Sequence, residues 1–200
     1  MSTTEKLDLF KLHKAEYAAP KEPKLVEVGP AEYLTIEGRG EPGGEDFQTA
    51  LGALYGMAFT IKMTRKIEGL GDYAVCKLES QWWNIDGPKD GWQWKMMIRT
   101  PEFVGQDDLA SAAAKLVEKK KGAGVDGVKL ERIDEGRCVQ MLHIGPYDKE
   151  HETIAKMLAF AKEKGLAVHG RHHEIYVSDP RRVPPERLKT ILRHPLRPAS

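Results

Sequence analysis

Residues 141–162, MLHIGPYDKEHETIAKMLAFAK, decide how the whole chain is read. The run from Cys138 to Ile144 reads as a strand, and Gly145-Pro146 ends it in a turn. Beyond Asp148, Ile154, Met157, Leu158 and Ala161 recur at helical spacing and make one apolar helix face. The same order occurs earlier. Sliding the first half forward by 107 positions sets Gly38 on Gly145, Phe47 on Ile154, Ala50 on Met157, Leu51 on Leu158 and Leu54 on Ala161, without a gap. A strand, a loop, a helix and further strands repeated at one period predict a duplicated architecture. Two such units usually pair about a pseudo-twofold axis, and the crevice between them is a natural ligand site.

Working outward, Tyr33 to Ile36 reads as a strand, and Phe47, Ala50, Leu51, Leu54 and Ala58 as a helix face. Tyr73 to Glu79 and Trp92 to Arg99 read as strands joined by a hairpin turn with two Asp-Gly pairs. A helix capped by Asp107 or Asp108 follows, with Leu109, Ala112, Ala113, Leu116 and Val117 on one face, and ends at KKKGAG. Val128 to Ile133 and Cys138 to Ile144 flank the turn Asp134-Glu135-Gly136 and predict a second hairpin. His172 to Ser178 reads as a strand, and PPERLKTIL as a short closing helix with proline in its first turn. The basic stretch from Arg181 to Arg197 reads as one solvated C-terminal helix, and residues 1–24 as a loosely packed arm.

Composition narrows the function classes. Lysine plus arginine number 31 against 30 acids in 200 residues, so no global field steers the chain onto DNA or an anionic membrane. No stretch reaches the roughly 20 apolar residues that a bilayer span needs. The opening residues MSTTEKLDLF lack the features of a secretion signal, so a cytoplasmic protein is expected. Cys76 and Cys138 are the only cysteines and read as buried, reduced residues. His172 and His173 alternate faces and cannot chelate one ion from a regular strand, and no metal motif occurs. GAGVDG lacks the strand-to-helix setting of a dinucleotide site. No metal and no cofactor is expected.

Strand alternation picks out candidate site residues. Ile175 and Val177 point one way, onto helices, and Glu174 and Tyr176 the other. Trp92, Trp94 and Met96 share a face, and so do Tyr73, Val75 and Glu79, with Trp82 and Trp83 just beyond. Aromatic rings around a carboxylate predict a pocket for a planar, hydrophobic or cationic aromatic small molecule. Glu174 is expected to be buried there, with its pKa raised by desolvation. Core packing is the alternative for each tryptophan taken singly.

MLHIGPYDK, HHEIYVSDPRR and LESQWW followed by WQWKMMIRTPEFV resemble the GyrI-like (gyrase-inhibitor-like) small-molecule-binding family over roughly residues 25 to 196. The resemblance, together with the repeat, implies an α+β fold. It is a pseudo-twofold tandem of two strand–helix–strand–strand modules, about 25–104 and 125–200, with a helical linker about 105–124. They form a curved antiparallel sheet with helices on one face. The family binds hydrophobic or cationic aromatic compounds over a glutamate that matches Glu174, with its GPY tyrosine at Tyr147 and its HxGPY histidine at His143. Some stand-alone members hydrolyse the cyclopropane ring of cyclopropanoid DNA-alkylating compounds. That implies catalytic Glu174, Tyr147 and Glu79, with Trp82, Trp83, Trp92, Trp94, Tyr176, Met96 and His143 around the ligand. A non-catalytic drug-sequestering protein and a gyrase-inhibitor-type interaction protein are the alternatives. Many relatives carry a fused DNA-binding helix-turn-helix, for which the segment before Leu25 is too short, so no specific DNA binding is expected.

Overall fold

The computed structural model describes residues 6–199. In chain order the elements are α1 (Leu9–Leu12), α2 (Lys14–Tyr17), β1 (Lys24–Val28), β2 (Ala31–Arg39), α3 (Glu45–Ile67), β3 (Leu78–Trp83) and β4 (Gln93–Arg99). They continue as α4 (Gln106–Glu118), β5 (Lys129–Ile133), β6 (Gly136–Ile144), α5 (Glu150–Glu163), β7 (Leu166–Val168), β8 (His172–Tyr176) and β9 (Lys189–Pro198). The fold is α+β with antiparallel strand pairing, as expected. The described chain divides into two compact units, one of residues 6–12, 31–78 and 82–133, the other of 13–30, 79–81 and 134–199.

In the first unit β2 lies between β4 and β5. Leu54, Met57 and Ile61 of α3 bury themselves against Leu34, Ile36, Met96 and Ile98. Glu45 and Asp46 open α3, and Arg65 and Lys66 close it, each end carrying the charge its dipole favours. The helix stops where Gly69 takes φ +71°, letting the Leu70 N–H reach the Arg65 carbonyl at 2.8 Å. Residues 105–124 are no linker: α4 docks on α3 within this unit, and Asp108 takes the Arg65 guanidinium at 2.8 Å. Asp108 also accepts the Gly105 N–H at 2.9 Å, so the N-cap is Gly105 and the aspartate sits at the third helical position. Tyr73 to Glu79 does not form the expected strand. Tyr73 makes only an isolated bridge with Leu7, and β3 begins at Leu78.

Gly38 stands opposite Trp94 across β2 and β4, and the indole lies over it. A Cβ there would fall 2.1 Å from the ring, while Phe47 packs edge-on at 5.3 Å and blocks escape. Gly38→Ala is expected to cost about 1–3 kcal/mol through overpacking. Urea denaturation followed by tryptophan fluorescence measures it, and a midpoint equal to wild type would mean the ring swings aside.

In the second unit the strands run β1–β6–β9–β8, with β7 on the far end of β9. Met157 and Ala161 of α5 pack on Val139, Met141, Leu192 and Leu196. The first strand of the chain thus pairs with β6 in this unit rather than opening the first module at residue 25. The Asp134-Glu135-Gly136 turn is no hairpin either, since β5 pairs with β2 and β6 with β1 and β9.

The predicted closing helix is also absent. Only a 3₁₀ turn, Pro185–Arg187, precedes β9. Both faces of β9 are covered, so Thr190, Ile191, Leu192 and Arg193 are all buried and no polar alternation marks the strand. Pro195 is accommodated between the β8 pairing, which ends at Arg193, and the β7 pairing, which starts at Leu196. Nor are residues 6–24 a loose arm, for Leu9 and Tyr17 are buried. Residues 1–5 of that expected arm lie outside the described residues. No helix among the described residues is long and apolar enough to cross a membrane.

Candidate functional site

Strand register assigns the faces of β8. Glu174 stands opposite Leu192, and His173 opposite Arg193. His172, Glu174 and Tyr176 therefore share the face of Leu192, which α5 covers, and His173 and Ile175 share the other. The alternation is as expected, but the helix lies on the opposite side from the one anticipated for Ile175. Nothing local in a strand says which face a helix will cover.

Glu174 is the centre of a polar chain. Its carboxylate accepts from the Tyr176 hydroxyl at 2.7 Å and lies 3.1 Å from His172 Nε2. The other His172 nitrogen meets His194 Nε2 at 3.0 Å. From the first turn of α5, Glu150 hydrogen-bonds to Glu174 and takes a further bond from Thr190. The ring of Tyr147 stands edge-on to Tyr176 at 5.9 Å and is 41% exposed, so the cluster opens to solvent on the tyrosine side.

The electrostatics separate the two acids. Burial and the Glu174 charge push Glu150 up to about 10, so it is neutral and donates. Burial also opposes charge on Glu174, but hydrogen bonds from His172, Tyr176 and Glu150 hold it below the usual carboxylate range. The raised acid is thus Glu150, not Glu174 as the sequence suggested. Burial, then the neighbouring carboxyls, push the Tyr147 phenol up to about 12. His194 falls to about 3 through burial and the adjacent imidazoles, and stays neutral. Glu150, His172 and Glu174 each bring a donor atom within 4.8 Å of the others. In this structure those groups are hydrogen-bonded to one another.

The remaining expected residues go elsewhere. Trp94 and Met96 are core of the first unit, and Trp82 stacks on Phe47 at 6.0 Å, beneath α3. Trp92 is half-buried, edge-on to Trp82, with its indole N–H on the Gly87 carbonyl at 2.9 Å. Trp83, half-buried, occupies the alternate position on β3. Trp82, Trp92 and Trp94 belong to the cluster around α3, which is the core alternative, and Trp83 does not. His143 uses Nδ1 on the Thr153 hydroxyl at 2.9 Å and Nε2 on the Pro146 carbonyl at 3.2 Å. It braces the Gly145-Pro146-Tyr147 turn and has no ring nitrogen left for a ligand. A cleft of about 550 Å³ in the first unit, walled by Ile61, Arg65, Leu70, Phe103 and Asp108, contains none of the expected residues.

Glu79 is no partner of Glu174. It lies with His173 on the opposite face of β8, fully buried, 3.0 Å from His173 Nε2 and accepting from the Tyr17 hydroxyl at 2.9 Å. His173 Nδ1 meets Glu135 at 2.9 Å, and Arg193 Nη1 donates to Glu135 at 3.1 Å. Burial opposes charge on both, yet the partners raise His173 to about 9 and depress Glu135 to about 2. Sequence reading missed Glu150, Glu135 and Arg193. All three sit in polar stretches that look solvated. Cys138 is buried beside this network, and its thiol, pushed up to about 12 chiefly by burial, is inert.

The family model for the GyrI-like small molecule binding domain matches residues 21–197. The chain belongs to the GyrI-like family. A hydrolase from Listeria innocua is 38% identical over 96% of this chain and 100% of its own, with a TM-score of 0.89. An uncharacterized conserved protein from the same organism matches equally in identity and coverage, with a TM-score of 0.91. The EcmrR C-terminal domain, 9% identical over 89% of this chain and 98% of its own at a TM-score of 0.60, shares the fold alone. Among curated protein sequences the chain has no match.

Proposed function

We propose that this GyrI-like protein binds planar hydrophobic or cationic aromatic molecules at the Glu174 cluster. There it hydrolyses the cyclopropane ring of cyclopropanoid genotoxins, protecting the cell. The observation that carries the reading is one ionised carboxylate, Glu174, held beside two protonated donors, Glu150 and Tyr147. The Listeria hydrolase, alike over nearly the whole chain, supports a hydrolytic reaction.

A carboxylate has about four acceptor sites, and His172, Tyr176 and Glu150 take three on Glu174. The fourth is left for a water. Glu174 removes a proton from that water as its oxygen bonds to the cyclopropane CH₂. The strained C–C bond breaks, and its electron pair passes through the conjugated dienone to the carbonyl oxygen as the ring becomes aromatic. Tyr147 protonates that oxygen, and the proton on Glu174 returns to Tyr147 through solvent. Tyr147 and Tyr176 also offer their rings to the flat body of the substrate.

Incubating a cyclopropanoid compound with the protein in ¹⁸O water should give a ring-opened product carrying one solvent oxygen. Tyr147→Phe should lower kcat about 10²–10³-fold, the loss typical of an oxyanion donor, while binding persists. A protein that binds the compound without accelerating its opening would be a sequestering protein instead.

A further inference from the structure

The outer face of α3 in the first unit is apolar and lies open. Phe59, Met63 and Ile67, each one turn further along the helix, are 53%, 44% and 79% exposed. Tyr55 stacks on Phe59 at 6.2 Å and extends the patch toward the N-terminus. Exposed apolar surface of this kind on a folded chain marks an interaction site. Glu45, Gly52, Phe59 and Lys66 follow one another at seven-residue intervals and so form a single line along this face. Glycine in the middle of a helix is destabilising relative to alanine. A Cβ on Gly52 would meet nothing within 4 Å, so no contact within the described chain accounts for it. The two ends of the line carry opposite charge. Glu45 is exposed in the first turn, and Lys66 in the last turn is 53% exposed beyond its 3.5 Å contact with Asp72.

We propose that this face is a homodimer seam, on which α3 packs antiparallel against α3 of a second copy about a twofold axis. The order acid, glycine, phenylalanine, base selects both the occupant and the direction. In an antiparallel pair one register sets Phe59 of each chain over Gly52 of the other and Glu45 over Lys66. Both contacts recur by symmetry, as a twofold interface requires. The glycine leaves the notch that the phenyl ring fills, and the acidic start of each helix lies on the basic end of its partner, where charges and helix dipoles agree. A parallel pair would instead set Glu45 on Glu45 and Lys66 on Lys66. A helix of 23 residues is about 34 Å long. One seam of that length falls at the small end of specific interfaces, about 1,200 Å² or less. Association in the micromolar range is therefore expected.

Sedimentation velocity of the full-length protein across the micromolar range tests this, and a reversible monomer–dimer equilibrium is the expected result. Gly52→Gln places a better helix former into open space, so the monomer should fold, but the side chain fills the notch and should weaken the dimer about tenfold or more. Glu45→Lys and Lys66→Glu should each weaken it about tenfold by setting like charges together at two symmetric contacts. The double variant Glu45→Lys/Lys66→Glu should return it to within about threefold of wild type, since each charge again meets its opposite. Circular dichroism of the dilute monomer separates loss of fold from loss of association. A chain monomeric throughout that range would leave the face to another kind of partner and overturn the proposal. A dimer indifferent to Gly52→Gln, or a charge swap without recovery, would overturn it as well. The charge swap decides the register even if Gly52→Gln does not fold.

Discussion

Glu174→Gln should reduce cyclopropanoid turnover by about 10²–10⁴-fold, the usual contribution of a positioned proton-transfer group. The loss should fall on kcat, because the amide keeps the size of the carboxylate but cannot take a proton from water. The pH profile adds a second test. Activity should fall in acid as Glu174 is protonated, below the usual carboxylate range, and in base as Glu150 loses its proton near 10. These limbs belong to the pair as a whole. Glu150→Gln, a permanently neutral donor, should keep the acid limb and abolish the basic one attributed to Glu150. A Glu174→Gln enzyme within threefold of wild type would remove the base from the mechanism.

Arg193→Met should destabilise the fold by about 3–5 kcal/mol, since it leaves two buried carboxylates, Glu135 and Glu79, sharing the single His173 cation. The double variant Arg193→Met/Glu135→Gln should recover part of that loss. The pH window follows from the two shifts. His173 is raised from 6.5 to about 9, so its stabilisation is complete below 6.5 and is lost as pH rises through 9. Glu135 is depressed from 4.5 to about 2, so its contribution is complete above 4.5 and is lost as pH falls through 2. The network should support the fold best between about pH 4.5 and 6.5. Urea midpoints across pH measure this, and a loss below 1 kcal/mol for Arg193→Met would show the cluster to be open to water.

Local pattern was enough for much of this molecule. The spacing of Leu54 and Ala58 gave α3, that of Met157 and Ala161 gave α5, and alternation placed Glu174 and Tyr176 together on one face of β8. Each depends on residues a few positions apart, whose relative directions the backbone period fixes. The strand β9 was read as a helix because burial on both faces erased its polar alternation, and Pro195 disguised it further. Trp82, Trp92 and Trp94 were read as pocket walls because a strand face shows only which rings agree, not whether α3 covers them.

The partners of the charged groups were decided only by tertiary structure. Glu150 reaches Glu174 from another element, and Glu79 finds Tyr17 and His173 across long stretches of chain. Glu135 and Arg193 looked solvated, yet they are buried together. The period of a strand determines that His173 and Glu174 point apart. Which acid and which helix meet them depends on pairings between distant segments, which no local periodicity encodes.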